Sequence, residues 1–184
     1  MKNNLYYPQV SLSDKEIFAE IKKEREIIGY YSLPYVDTTV LKTRLDDLAF
    51  PQKQIAIIGI GGSTLGTYAI YNFMKYNKQH NKSLKKELFF FESTDPVNLN
   101  GTLAQLNLND TLFIVISKSG TTIETISIFK YLMSITKIDK SNLLVITEDD
   151  SKLNTFARAN DINYFDIPKN VGGRFSVLSN VGLV

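Results

Sequence analysis

Cysteine is absent from the 184 residues. Disulfides, thiolate metal sites and cysteine nucleophiles are thereby excluded, and the lack fits a reducing cytoplasm. Histidine occurs once, as His80, among Asn, Lys and Gln. That setting reads as a solvated surface loop and not as a catalytic one. A strong charge of either sign is missing too. Lys and Arg total 21 against 19 acidic residues, a net +2 with no run of five like charges. Nothing in that balance points to nucleic acid. Long apolar runs are also lacking. The stretches near Ile55–Ile60 and Leu112–Ile116 are far too short to span a bilayer, and Met1–Pro8 resembles neither a secretion signal nor an anchor. What is present, 43% hydrophobic and 22% charged residues, suits one globular domain with a core.

Two helices are predicted first. Residues 13–29 carry a capping-box pattern, Ser13 with Glu16, and Ile17, Phe18, Ile21 and Ile28 recur at helical spacing. Residues 38–49 place Val40, Leu41, Leu45 and Leu48 on one side. After Pro51 short apolar runs alternate with helical stretches. The expected strands are Gln54–Ile60, Leu88–Phe91, Thr111–Ile116, Leu143–Ile146 and Tyr164–Ile167. The expected helices are Thr64–Tyr76, Pro96–Leu106, Thr122–Thr136 and Ser151–Asn160. Continuous Ile/Val/Phe runs suit strands buried on both faces of a parallel sheet. The fold class is therefore α/β, a three-layer sandwich with a five-stranded parallel sheet. Residues 1–50 form a helical N-terminal extension packing on the outside, and 51–184 form the sheet domain. The Lys/Asn-rich stretch Tyr76–Lys86 reads as a solvated loop. The apolar segment Val177–Val184 reads as a truncated end of a longer protein.

Ligands of open α/β sheets bind beyond the carboxyl ends of the strands, and three segments fall there. The first is Gly59-Ile60-Gly61-Gly62-Ser63-Thr64. It misses the dinucleotide pattern, which needs a third glycine where Thr64 stands. Two readings stay open: a tight strand-to-helix turn capped by Ser63 or Thr64, and a turn that brings backbone close to an anion. The second segment is Ser117-Lys118-Ser119-Gly120-Thr121-Thr122-Ile123-Glu124-Thr125. Ser117 ends a strand, Ser119 and Gly120 make the turn, and Thr125 shares a helix face with Thr122. Hydroxyls and unpaired N–H groups gathered in this way can hold a phosphate dianion without a metal. A capping box from Thr121 to Glu124 is expected as well. The third segment, Gly172-Gly173-Arg174-Phe175-Ser176, aims a guanidinium, either at an oxyanion or simply into solvent. Glu148-Asp149-Asp150 reads as a cap for the next helix. Glu92 and Asp95 either cap or line the site, and Tyr30, Tyr31 and Tyr35 read as packing residues.

In this order the three segments resemble the glucose-6-phosphate isomerase family. The first two are also similar to the wider sugar-isomerase (SIS) superfamily, and Gly-Gly-Arg-Phe-Ser is the discriminating piece. The resemblance runs from about residue 54 to the end. It implies the SIS-domain, flavodoxin-like form of the sheet. It implies that Gly62 and Ser63 contact the sugar, and that Ser117, Lys118, Ser119, Thr121, Thr122 and Thr125 bind phosphate. It places Gly173 and Arg174 beside the reacting carbons, with Arg174 stabilising an enediolate. The reaction implied interconverts glucose 6-phosphate and fructose 6-phosphate, in glycolysis and gluconeogenesis, with neither metal nor cofactor. The whole protein is then expected to be a cytoplasmic homodimer binding hexose 6-phosphate and neither nucleic acid nor membrane. The family's glutamate base, ring-opening histidine and late lysine belong to a second domain, so this chain is expected to be an inactive fragment. Lys169-Asn170, where an acidic residue is common, and Asn180, where a small residue or proline is usual, depart from the family pattern. A stand-alone SIS module that senses phosphosugars is the alternative.

Overall fold

The computed structural model describes residues 13–76 and 86–184. His80 and most of the Tyr76–Lys86 stretch lie outside the described residues, as does Met1–Pro8. Five strands, β1 Gln54–Ile58, β2 Glu87–Phe91, β3 Thr111–Ile116, β4 Leu143–Thr147 and β5 Asn163–Asp166, form one sheet in the order β2-β1-β3-β4-β5. Every pairing is parallel. Chain direction across the sheet reverses between β1 and β3, and at such a switch point the connecting loops part and leave a crevice.

The strands alternate their side chains between two cores, as the two-residue period requires. Phe113 and Val115 of β3 join Ala56, Ile58, Leu143 and Val145 on one face. Leu112, Ile114 and Ile116 join Ile57, Leu144 and Ile146 on the other. Each such side chain taken out of water is worth about 1.5–3 kcal/mol. The first face is covered by α4 Pro96–Leu103, α5 Ile123–Ile135 and α6 Lys152–Ala159, through Leu99, Ile128, Phe129, Leu132 and Leu153. The second is covered by α2 Thr39–Leu48 and α7 Asn180–Leu183, through Leu41, Leu45, Leu48 and Val181. On that side α3 Leu65–Tyr76 sets Tyr68 edge-on to Phe90, with ring centroids 5.0 Å apart.

Helix α1, Asp14–Glu24, forms the expected capping box. The Ser13 N–H donates to Glu16 Oε2 at 2.8 Å, and this bond, with the Ser13 hydroxyl, lowers the Glu16 pKa. Several boundaries differ from expectation. The helix stops at Glu24 and not at residue 29, so Ile28 lies outside it. It buries no residue, and Phe18 is 64% exposed. Val40 does not share the apolar side of α2 and is 77% exposed. Leu41, Leu45 and Leu48, spaced at four and three residues, define the packed stripe, and Val40 is turned about 100° away from it. Strand β1 ends at Ile58 because Gly61 takes a left-handed φ of 60° and Gly61–Ser63 curl into a 3-10 turn. Helix α4 ends at Leu103, not Leu106.

In the loop that leads into β4, Asp139 accepts from the Ser141 hydroxyl at 2.6 Å and its N–H at 2.9 Å. These bonds, with Lys137 beside them, hold its carboxyl down to about 2. No helix among the described residues is long and apolar enough to cross a membrane.

Candidate functional site

The three strand-end segments meet at the crevice between β1 and β3. Together with Glu148 they line an open cavity of about 470 Å³, bounded by Ile60, Gly62, Ser63, Lys118, Ser119, Thr122, Glu148, Gly173 and Arg174. That volume lies in the range of small-molecule sites.

The first and third segments approach each other closely at Gly62 and Gly173 and are bridged by a side chain. The Ser176 hydroxyl donates to Gly173 O at 2.7 Å and to Gly62 O at 3.3 Å. A β-carbon at position 62 would run into the Gly173 carbonyl. Only glycine allows this approach. Thr64, fully buried, ties the start of α3 to Gly61 O and to Glu92 Oε2, at 3.3 and 3.4 Å. Gly173–Leu178 form a 3-10 helix, so the apolar end is ordered structure, with Ser179 capping α7. The turn at Gly29–Tyr31 braces this segment from outside, with the Gly29 N–H donating to Asn170 O at 2.9 Å.

The second segment turns at Gly120, whose φ is 66°. Ser117 is 1% exposed and sits beneath the turn, donating to Thr122 Oγ1 at 3.0 Å. Thr121 donates to Ser119 Oγ at 3.1 Å. The expected capping box from Thr121 to Glu124 does not form. Thr122 is the N-cap of α5, and no side chain caps the helix start. The first N–H groups of α5 therefore lack both an intrahelical acceptor and a side-chain one. Such an end attracts an anion.

Of the expected site residues, Gly62, Ser63, Lys118, Ser119, Thr122, Gly173 and Arg174 line the cavity. Ser117, Thr121 and Thr125 do not. Thr121 is exposed, and Thr125 is fully buried with no hydrogen-bond partner on its Oγ1. Helical spacing from Thr122 does bring Thr125 to the inner side of α5, but there it faces the core side of the helix.

Glu148 lines the cavity and was read in the sequence as a helix cap. Ser151 caps α6 instead, accepting from the Asn154 N–H at 3.0 Å. The signal that could have found Glu148 is its place directly after the last residue of β4. Asp149 pairs with Arg158 at 3.5 Å, and Asp95 caps α4 by accepting from the Val97 N–H at 2.9 Å. Among the described residues no three His, Cys, Asp or Glu cluster as metal ligands would. A larger hollow of about 560 Å³ runs along α5 and α6. It is walled mainly by Ile123, Ile126, Phe129, Met133, Leu153 and Phe156, with Thr121, Ser127, Lys130 and Lys152 also on its lining.

Comparison with known proteins shows the family. Residues 50–184 match the family model for phosphoglucose isomerase. The glucose-6-phosphate isomerase of Campylobacter jejuni is 38% identical over 198 aligned positions, covering 100% of this chain and 47% of that protein. The chain thus spans about half the length of that relative. A hypothetical protein from Thermus thermophilus superposes with a TM-score of 0.73 at 29% identity, over 92% of this chain and 41% of its own. A glucose-6-phosphate isomerase from Chlamydia trachomatis gives 0.64 at 26% identity, over 96% and 31%. The chain belongs to the phosphoglucose isomerase family.

Proposed function

We propose that this chain supplies the phosphate-holding half of a glucose-6-phosphate isomerase. One observation carries the reading: Ser119, Thr122 and Arg174 line a single cavity at the switch point of the sheet, and Thr122 stands at the uncapped start of α5. The ester phosphate of a hexose 6-phosphate sits on the turn at Ser117–Thr122, held by hydroxyls and backbone N–H groups. The sugar chain then extends past Gly62 and Ser63 toward Gly173 and Arg174. At that end a permanently charged fork stabilises the negative oxygen of an enediolate as the proton moves between neighbouring carbons.

Ser117 acts from beneath by orienting the Thr122 hydroxyl. The proton itself is carried by a carboxylate outside this chain, in a second domain of the whole protein. Residues 51–184 form the SIS unit and residues 1–50 its extension, of which the described part, residues 13–50, docks through α2 and the Gly29–Tyr31 turn. The whole protein works in the cytoplasm as a homodimer.

Calorimetric titration tests the reading. Glucose 6-phosphate and 6-phosphogluconate bind the chain, glucose and gluconate do not, and no isomerisation is catalysed by the chain alone. Equal heats with and without the phosphate group would overturn it.

A further inference from the structure

The cavity described above contains a carboxylate that an anion site does not need. Glu148 follows β4, and its N–H donates to Lys118 O at 3.1 Å, which ties it to the β3–α5 turn. Its Oε1 lies 3.1 Å from Lys118 Nζ, with the two side chains 24% and 31% exposed. Lys118 Nζ also donates to Lys169 O at 3.1 Å. The lysine is thus anchored twice and holds the carboxylate at the cavity wall. A negative charge there opposes any dianion entering the same space. Helix capping does not account for it, since Ser151 performs that task.

The second oxygen of Glu148, Oε2, takes no hydrogen bond among the described residues. A carboxylate can only accept, and a hydroxyl brought in by a ligand can donate to it. Within a phosphate site, the ligand class that brings hydroxyls beside the ester is a polyol phosphate.

We infer that Glu148 is a specificity-determining residue, accepting a hydroxyl of the sugar chain while penalising bare phosphate, and that Lys118 positions it. The inference rests on the phosphate-site reading above. Discrimination of this kind works by a repulsive element as well as an attractive one.

Titration of the wild-type chain, Glu148→Ala and Glu148→Gln with inorganic phosphate and with sorbitol 6-phosphate provides the test. The wild type prefers sorbitol 6-phosphate. In Glu148→Ala inorganic phosphate binds more tightly, and the preference falls by about fivefold or more, the scale of one lost hydrogen bond. Glu148→Gln keeps an acceptor and loses the charge, so the preference moves the same way by a smaller factor. Release of Lys118 affects both ligands alike and cancels in the ratio. A ratio unchanged in both variants, with circular dichroism showing them folded, overturns the inference and leaves the phosphate site standing. A wild type that bound neither ligand would remove the phosphate site, and this inference with it.

Discussion

The ring of Tyr30 lies 4.7 Å from that of Phe175, the residue next to Arg174. The contact links the N-terminal extension to the segment that carries the guanidinium, across more than a hundred residues of chain. Together with the Gly29 N–H bond to Asn170 O, it fixes the 3-10 helix from its outer side.

Tyr30→Ala removes this brace. An aromatic pair of this kind contributes about 0.5–1.5 kcal/mol beyond its buried area. The urea midpoint should fall accordingly with an unchanged slope, and Tyr30→Phe should restore it. Equal midpoints for wild type and Tyr30→Ala would show that the extension does not support the segment.

Gly62→Ala forces a β-carbon against the Gly173 carbonyl. The backbone of one segment must shift, and the cavity wall with it. Hexose 6-phosphate affinity should drop more than stability does. Gly101→Ala is the control: it lies in α4 with open space at the β-carbon, and should stabilise the chain by up to about 1 kcal/mol. Calorimetry beside thermal unfolding separates the two effects.

Thr122→Val preserves shape and removes one hydroxyl from the cavity. It also leaves the Ser117 hydroxyl without its 3.0 Å acceptor. Phosphate binding should weaken by about 1 kcal/mol or more, near fivefold, while the circular dichroism spectrum stays that of the wild type. An unaltered Kd would count against the Thr122 hydroxyl as a ligand.

The strands were legible because their composition admits one interpretation. Thr111–Ile116 is β-branched or aromatic at every position but Leu112, and its boundaries are those read from the sequence. Family resemblance rests on three local segments and their order along the chain, and the structure brings all three to one cavity. What escaped was set by tertiary geometry. The Thr121–Glu124 capping box failed because Ser117, five residues back, reaches the Thr122 N–H and hydroxyl from beneath the turn. Val40 and Leu41 are equally apolar, and only the position of the sheet decides which of the two is packed. Glu148 looked like a cap among acidic neighbours, and its partner, Lys118, is thirty residues away.

The crevice between β1 and β3 draws its walls from four stretches that are far apart along the chain, around residues 60–63, 118–122, 148 and 173–174. An excised peptide of residues 117–125 would therefore keep every hydroxyl and lose the receptor. Recognition here is an emergent property of the assembled sheet, and a ligand that grips only the native state acts as a thermodynamic clamp on the whole domain.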